Sequence, residues 1–375
     1  MKKIQTASYQ FLTQKQKAQL LILCFTGMLA FANLIIPDAF GMISENGFMT
    51  AKAAQKQTKG RWTAELKEDK LQISFIRNTK RNGFNNSSSY FSIGELRGLT
   101  LEATSSAKTT VKFNIMREAG TFIFEGYFNN GKGTGFWTFT ANQRFISAMR
   151  GYGYNNLTED DLYYAALYSI NSRLIEDLKV AGYNRLSFEN LLEAGMFNVT
   201  PEFIQLWRSA GFKNLSFERL TELGMHEVKP EFILEMKAVG YENLTLDELI
   251  EARMFDVNSQ FVKEVEKLGF GRQPLKTLIE MGMHDVTSNY VQLWRTAGFN
   301  SLSLEELIEL ATHEVTPEFL NQIKAEGFSR ITPLQAAELK IHEIDRDFIR
   351  RVRAKGYPNV TLEELVDIRN QNIIK

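Results

Sequence analysis

From Asn142 onward the chain repeats itself every 29 residues without an insertion. Thr200-Pro-Glu-Phe-Ile-Gln-Leu-Trp-Arg-Ser-Ala-Gly-Phe212 aligns with Thr287-Ser-Asn-Tyr-Val-Gln-Leu-Trp-Arg-Thr-Ala-Gly-Phe299, and both align with Thr316-Pro-Glu-Phe-Leu-Asn-Gln-Ile-Lys-Ala-Glu-Gly-Phe328. Eight units begin at Asn142, Asn171, Thr200, Lys229, Asn258, Thr287, Thr316 and Asp345. Their twelfth residue is always glycine: Gly153, Gly182, Gly211, Gly240, Gly269, Gly298, Gly327 and Gly356. The thirteenth is always Phe or Tyr. A fixed period of this length marks a solenoid, because one such unit cannot bury its apolar face alone.

Each unit reads as two short helices. The first opens at Thr200 or Thr316 as N-cap, with Pro201 or Pro317 in the first turn. It stops at the glycine, which takes the left-handed conformation, and the aromatic after it folds back on the last turn. Ser187, Ser216, Thr245, Ser303 or Thr361 opens the second helix, and Thr245/Glu248, Ser303/Glu306 and Thr361/Glu364 form capping boxes. In the fifth unit Gln273 stands in for the cap and Pro274 gives the first-turn signal. Helices of about ten residues are marginal alone in water, so each stripe, such as Leu304, Leu307, Ile308 and Ala311, is expected to bury against the next unit.

Upstream of the array the hydrophobic period changes to two. Leu71, Ile73 and Phe75, then Val111, Phe113 and Ile115, then Phe122, Phe124, Gly126 and Phe128 each line one face. Such alternation predicts half-buried strands. Turns are expected at Asp69-Lys70, Ala119-Gly120 and Asn129–Gly133, and residues 77–89 read as a long exposed loop. Six or seven strands predict a small antiparallel β-sandwich or curved sheet over 61–141. The expected fold class is therefore α+β and multidomain: that β-domain, then an α-solenoid of helix–turn–helix repeats over 142–375.

Residues 42–60 read as a polar linker. Before them, Lys2, Lys3, Lys15 and Lys17 precede an apolar run from Leu20 to Ile36. Residues 1–41 therefore read as a signal peptide or a membrane anchor, and the protein as exported, periplasmic or anchored facing the periplasm. The only cysteine, Cys24, lies in that segment, so no disulfide within the exported part is expected. Residues 142–375 carry 26 basic and 35 acidic side chains, whereas residues 1–141 carry 18 and 9. The acidic array argues against nucleic acid as a partner, since phosphate binding needs clustered positive charge. The one basic cluster, Arg346, Arg350, Arg351, Arg353 and Lys355, reads as a solvated terminal face.

No residue pattern calls for catalysis. His226, His284, His313 and His342 share position 27, where other units hold Tyr168, Phe197, Phe255 and Gln371. A place that accepts Phe or Tyr calls for a packing ring, so no metal is assigned. His313-Glu-Val-Thr-Pro317 opens like a zinc-peptidase motif but has no second histidine four residues on. Gly131-Lys-Gly-Thr-Gly135 runs into a strand rather than a helix N-terminus, which favours a hairpin turn over a phosphate loop. Trp207 and Trp294 follow Phe203 and Tyr290 by four residues, the spacing of a core stripe. As tryptophans they are also the candidate binding anchors.

The repeat sentence, as in Lys229-Pro-Glu-Phe-Ile-Leu-Glu-Met-Lys-Ala-Val-Gly-Tyr241, resembles a tandem helical repeat of bacterial exported proteins. It looks like the arrays C-terminal to membrane zinc-peptidase sensors of the β-lactam-sensing type. Arg117-Glu-Ala-Gly-Thr-Phe-Ile-Phe-Glu-Gly126 is similar to the β-module that often precedes such arrays. The peptidase's metal motif is absent from this sequence, so the resemblance carries over no catalytic, cofactor-binding or metal residue. The expectation is an exported, non-enzymatic protein-interaction scaffold that uses the solenoid surface, with a protein partner, no cofactor, no small-molecule substrate, and membrane contact only through an uncleaved N-terminal segment. Two alternatives stand beside it: a regulatory or sensor component of cell-envelope stress or antibiotic response, and a glycan-binding or weakly hydrolytic β-domain with the repeats as spacer.

Overall fold

A computed structural model describes residues 58–79 and 83–374. The N-terminal signal-or-anchor segment, the stretch 42–57 and residues 80–82 of the expected loop lie outside them. The described chain is an antiparallel β-domain followed by helical repeats, and it divides into two compact units that meet in sequence at Lys229 and Pro230.

The first unit begins with strands β1 (Thr58–Lys67), β2 (Lys70–Thr79), β3 (Gly83–Ser92), β4 (Thr109–Arg117), β5 (Gly120–Asn129) and β6 (Lys132–Ala141). They form one sheet in the order β3-β2-β1-β6-β5-β4, all neighbours antiparallel. The sheet is not a sandwich. It is two three-stranded meanders joined where β1 pairs with β6, and it curls over its own apolar face. Strands three places apart in a flat sheet stand about 14 Å from each other. Yet the Trp62 ring on β1 lies 5.5 Å from Phe113 on β4, and Phe75 on β2 lies 5.6 Å from Phe124 on β5.

Glycines on the concave face make the curl compatible with two buried indoles. A Cβ on Gly135 would stand 2.0 Å from the Glu125 carbonyl oxygen and 2.8 Å from Trp62 Nε1. One on Gly126 would stand 2.1 Å from the Thr134 carbonyl oxygen. With no side chain there, Trp62 Nε1 reaches and donates to the Glu125 carbonyl at 3.2 Å. The Gly131–Gly135 run thus has two roles. Asn130 (φ 49°) and Gly131 (φ 81°) make the hairpin turn, whereas Gly133 and Gly135 belong to β6 and lie beneath Trp62.

Two readings of this region are corrected. Thr58–Gly60 pair with β6, so the sheet begins inside the expected linker. Most of 77–89 is strand, not loop: β3 pairs with β2 along its length, and Ser74 and Ser88 hydroxyls meet at 2.6 Å. Asn and Ser are poor strand formers, but an edge strand has only one neighbour to satisfy.

Repeats one to three complete the first unit, with first helices Gln143–Gly151, Ser172–Val180 and Pro201–Ser209 and second helices Glu159–Leu167, Phe188–Met196 and Phe217–Met225. The second unit holds repeats four to eight, with first helices Pro230–Ala238, Ser259–Val265, Ser288–Thr296, Pro317–Ala325 and Arg346–Ala354. Its second helices are Leu246–Met254, Leu275–Met283, Leu304–Thr312, Pro333–Ile341 and Leu362–Asn370. First helices pack on first helices and second on second. All eight twelfth-position glycines have φ between 90° and 104°. In repeat two the Gly182 N–H donates to Lys179 and the Tyr183 N–H to Leu178, the paired bonds of a Schellman cap. Pro274 occupies the N-cap position itself, without a side-chain cap bond, rather than the first helical position.

The second helices end the same way, which the sequence reading missed. Position 28 is left-handed in every repeat, at φ 52–59°, but holds Ser169, Asn198, Glu227, Asp256, Asp285, Glu314, Glu343 or Asn372 instead of glycine. Position 29, always Val or Ile, donates its N–H to the carbonyl five residues back, as Val315 does to Leu310 at 2.8 Å. Opposite outcomes are expected from two single substitutions. Gly211→Ala places a Cβ in open space, so only its φ of 100° opposes it, and it should cost about 1 kcal/mol. Glu314→Gly should stabilise by about 0.5–1 kcal/mol, because it relieves a non-glycine residue at φ 53°. Denaturant midpoints check both, and the cap assignment does not survive two unchanged midpoints.

Candidate binding surfaces

The two candidate anchors are interior. Trp207 and Trp294 have no exposed surface and stand edge-on to Phe212 and Phe299 at 5.3 and 5.5 Å. They serve the stack and are withdrawn as surface anchors.

What ties one repeat to the next is a set of side chains that no motif search flags. Position 9, in the last turn of the first helix, is Lys or Arg in every repeat but the fifth. Within the first unit, Arg208 donates to the Ala181 carbonyl of the preceding repeat, and Lys179 sits 4.4 Å from the Tyr152 ring. Within the second, Arg295 donates to the Leu268 carbonyl at 2.7 Å and lies over Phe270, and Lys324 lies over Phe299. Arg353 donates to the Glu326 carbonyl at 2.6 Å and lies over Phe328. Arg295 and Arg353 each satisfy an orphan helix-end carbonyl and lie over the thirteenth-position aromatic, whereas Arg208 makes the carbonyl bond, Lys324 the ring contact, and Lys179 a contact with the eleventh-position Tyr152. Tyrosine at that position adds a rung. Tyr154 donates to the Leu186 carbonyl and Tyr183 to the Leu215 carbonyl, both at 2.9 Å. The C-terminal basic cluster is partly absorbed in the same way, since Arg350 and Arg353 bracket Glu326 at 2.8 and 3.5 Å. The column of basic residues at position 9 was the available sequence signal.

Among the described residues no three His, Cys, Asp or Glu side chains are placed to hold a metal ion. His313 ends its helix and Glu314 is left-handed, so the two do not share a helical face. Burial holds His226 below the ordinary histidine range, and burial does the same to His284. The sign of the resulting pH dependence is fixed. Above 6.5 the imidazole is neutral whether the chain is folded or not. As pH falls below 6.5 the unfolded chain takes up the proton first, so stability drops until the pH passes the lowered folded value. His226→Phe, with the ring that Phe197 and Phe255 supply in other repeats, should flatten that slope. Melting midpoints across pH 5–8 measure it, and a slope unchanged by the substitution would exclude His226 as its source.

Two surfaces are left over once packing, caps and staples are assigned. On the repeats, exposed apolar side chains form no column in consecutive units: Val180, Leu234 and Ile341 fall at positions 10, 6 and 26, and Leu206 and Leu293, three repeats apart, share position 7. What recurs is acid at position 23, in the middle of the second helix: Glu193 and Glu222 in the first unit, then Glu251, Glu280, Glu309, Glu338 and Asp367 in the second. No cap or helix-dipole role explains an acid there. In the second unit the strained position 28 adds Asp256, Asp285, Glu314 and Glu343. On the sheet, the convex face exposes Phe136, Tyr127, Ile123 and Met116. Its Glu125 is paired with Lys112 at 2.7 Å and its Glu65 with Lys67 at 3.3 Å.

Compared with known protein families, characterised proteins and solved structures, the chain matches none.

Proposed function

We propose that the protein is an exported, non-enzymatic interaction scaffold whose helical repeats present the partner-binding surface. The observation that supports this is the division of labour inside the repeat. Interior positions, caps and the position-9 cations account for stacking, and position 23 is left over with the same chemistry in all five repeats of the second unit. A surface periodic in this way suits an extended partner that meets several repeats at once, and its charge suits a basic one. Acidic residues at left-handed positions 256, 285, 314 and 343, where glycine is less strained, fit a surface kept for contact at some cost in stability.

The test keeps the whole chain. Glu251, Glu280, Glu309 and Glu338 are changed together to Gln, and the variant is compared with the parent for capture of proteins from a cell-envelope extract at low and high salt. The scaffold reading expects a discrete set of proteins that is held by the parent, released by salt and not held by the variant. Identical capture by the two proteins would sink it.

A further inference from the structure

The convex face of the sheet lies opposite the face that carries the first repeats. Tyr163, on the second helix of repeat one, packs into the concave side 5.4 Å from Trp137 and 5.5 Å from Phe122. The convex side therefore looks away from those repeats. At its centre is Phe136, 69% exposed. Strand register puts Phe136 between Arg61 on β1 and Glu125 on β5, with Tyr127 and Ile123 at the two diagonals. Met116 continues the apolar line, diagonal to Ile123. One row further on, hydroxyl side chains cross all six strands: Ser88, Ser74, Thr63, Thr134, Tyr127 and Thr110. Lys59, Arg61 and Lys132 belong to this face, and no ion pair occupies them among the described residues.

We propose that this convex face docks the β-domain flat on a lipid bilayer that carries anionic headgroups. Four shallow apolar side chains on a rigid sheet, ringed by free cations and hydroxyls, match the apolar-to-headgroup boundary, where aromatic rings settle and lysine and arginine meet lipid phosphate. Charge complementarity fixes the orientation. Residues 58–141 carry 12 basic and 7 acidic side chains, a net +5, and residues 142–229 carry 9 and 11, a net −2, so an anionic surface attracts the sheet and not the repeats that leave it. Because repeats one to three leave from the concave side, that attraction turns the convex face toward the membrane. The surface is independent of the one assigned to the protein partner.

The readout is local to the face. Trp62, Trp137, Trp207 and Trp294 are at most 1% exposed, so aqueous acrylamide reaches them poorly. A tryptophan added in the full chain as Phe136→Trp is the accessible one. With vesicles of phosphatidylcholine plus phosphatidylglycerol its emission should shift to the blue and lose most of its acrylamide quenching. With phosphatidylcholine alone, or in 1 M salt, it should stay quenched. Adding Lys59→Glu and Arg61→Glu should weaken vesicle binding by at least about tenfold, at roughly 1 kcal/mol per basic residue near an anionic surface. Quenching unchanged by anionic vesicles would overturn the proposal, as would equal protection by neutral vesicles or in the charge-reversed variant. Protection by a soluble polysaccharide and not by vesicles would overturn it in favour of a glycan surface.

Discussion

Trp137→Ala is expected to unfold more than the sheet. The indole is 1% exposed on β6, stands against Phe75, Phe122 and Tyr163, and donates to the Arg61 carbonyl at 2.8 Å. Truncating a buried tryptophan costs about 3–5 kcal/mol. Here the cavity opens at a joint. Tyr163 belongs to repeat one and packs on Trp137, Phe122 and Phe139. The Arg77 guanidinium of β2 lies 4.0 Å over that same tyrosine and pairs with Asp160 at 2.9 Å. Thr58 donates to Glu159, and Glu118 in the β4–β5 turn accepts from the Ser172 backbone and hydroxyl at the start of repeat two. A solenoid needs its terminal stripe covered, and on the N-terminal side the sheet is the cover. The variant should therefore lose hydrogen-exchange protection in β6 and in Glu159–Leu167 together. The first unit should melt at least about 10 °C lower. If Glu159–Leu167 keeps full protection while the strands lose theirs, the sheet and repeat one fold separately, and the covering role is wrong. The expected domain boundary between 141 and 142 also changes meaning: it separates two kinds of secondary structure, not two independent cores, and the first compact unit extends through Lys229.

The second large effect is a contrast between two deletions in the second unit. Removing 258–286, repeat five in full register, should leave a folded protein shorter by one step. Repeat five is the odd one: it has Glu266 where others have a basic residue, a π-turn at Glu266–Phe270, and no side-chain cap before Leu275. After the deletion Arg295 finds the Val239 carbonyl and the Tyr241 ring at the positions that Leu268 and Phe270 held, and the Tyr241 hydroxyl finds the Leu302 carbonyl in place of Gln273. Removing 345–375 offers no such replacement. Phe348, Ile349 and Val352 are fully buried, and their loss exposes the stripe beneath them, with Leu320 and Ile323 now at full burial. Glu326, whose side chain is 10% exposed, would lose both of its arginines. A largely buried carboxylate without its cations adds to the cost of exposed apolar surface. The internal deletion should stay monomeric and helical, whereas the terminal one should aggregate or melt several degrees lower. Equal solubility and equal melting for the two would mean that nearest-neighbour stacking does not govern this array.

The repeat arithmetic reached far into the fold because helix caps are local chemistry. A Thr or Ser oxygen, a proline in the first turn and a glycine at a left-handed position act within six residues, so period and residue type were enough to place almost every helix. The same logic was available at position 28 and was passed over, since Glu and Asp do not advertise a left-handed backbone as glycine does. Alternation likewise placed the concave residues of β2, β4 and β5. It failed at β3, where an edge strand rich in Ser and Asn is held by pairing rather than by burial.

What the sequence determined by itself was therefore set over short range: two helices per 29 residues, their ends, the buried stripes, and the inward faces of β2, β4 and β5. Only the tertiary structure decided the curl of the sheet over Trp62, the burial of Trp207 and Trp294, the position-9 cations on the preceding repeat, and Tyr163 under Trp137. Each of these joins residues from different elements. Their energies depend on which surfaces meet, and a one-dimensional pattern records a residue's neighbours along the chain but not across it.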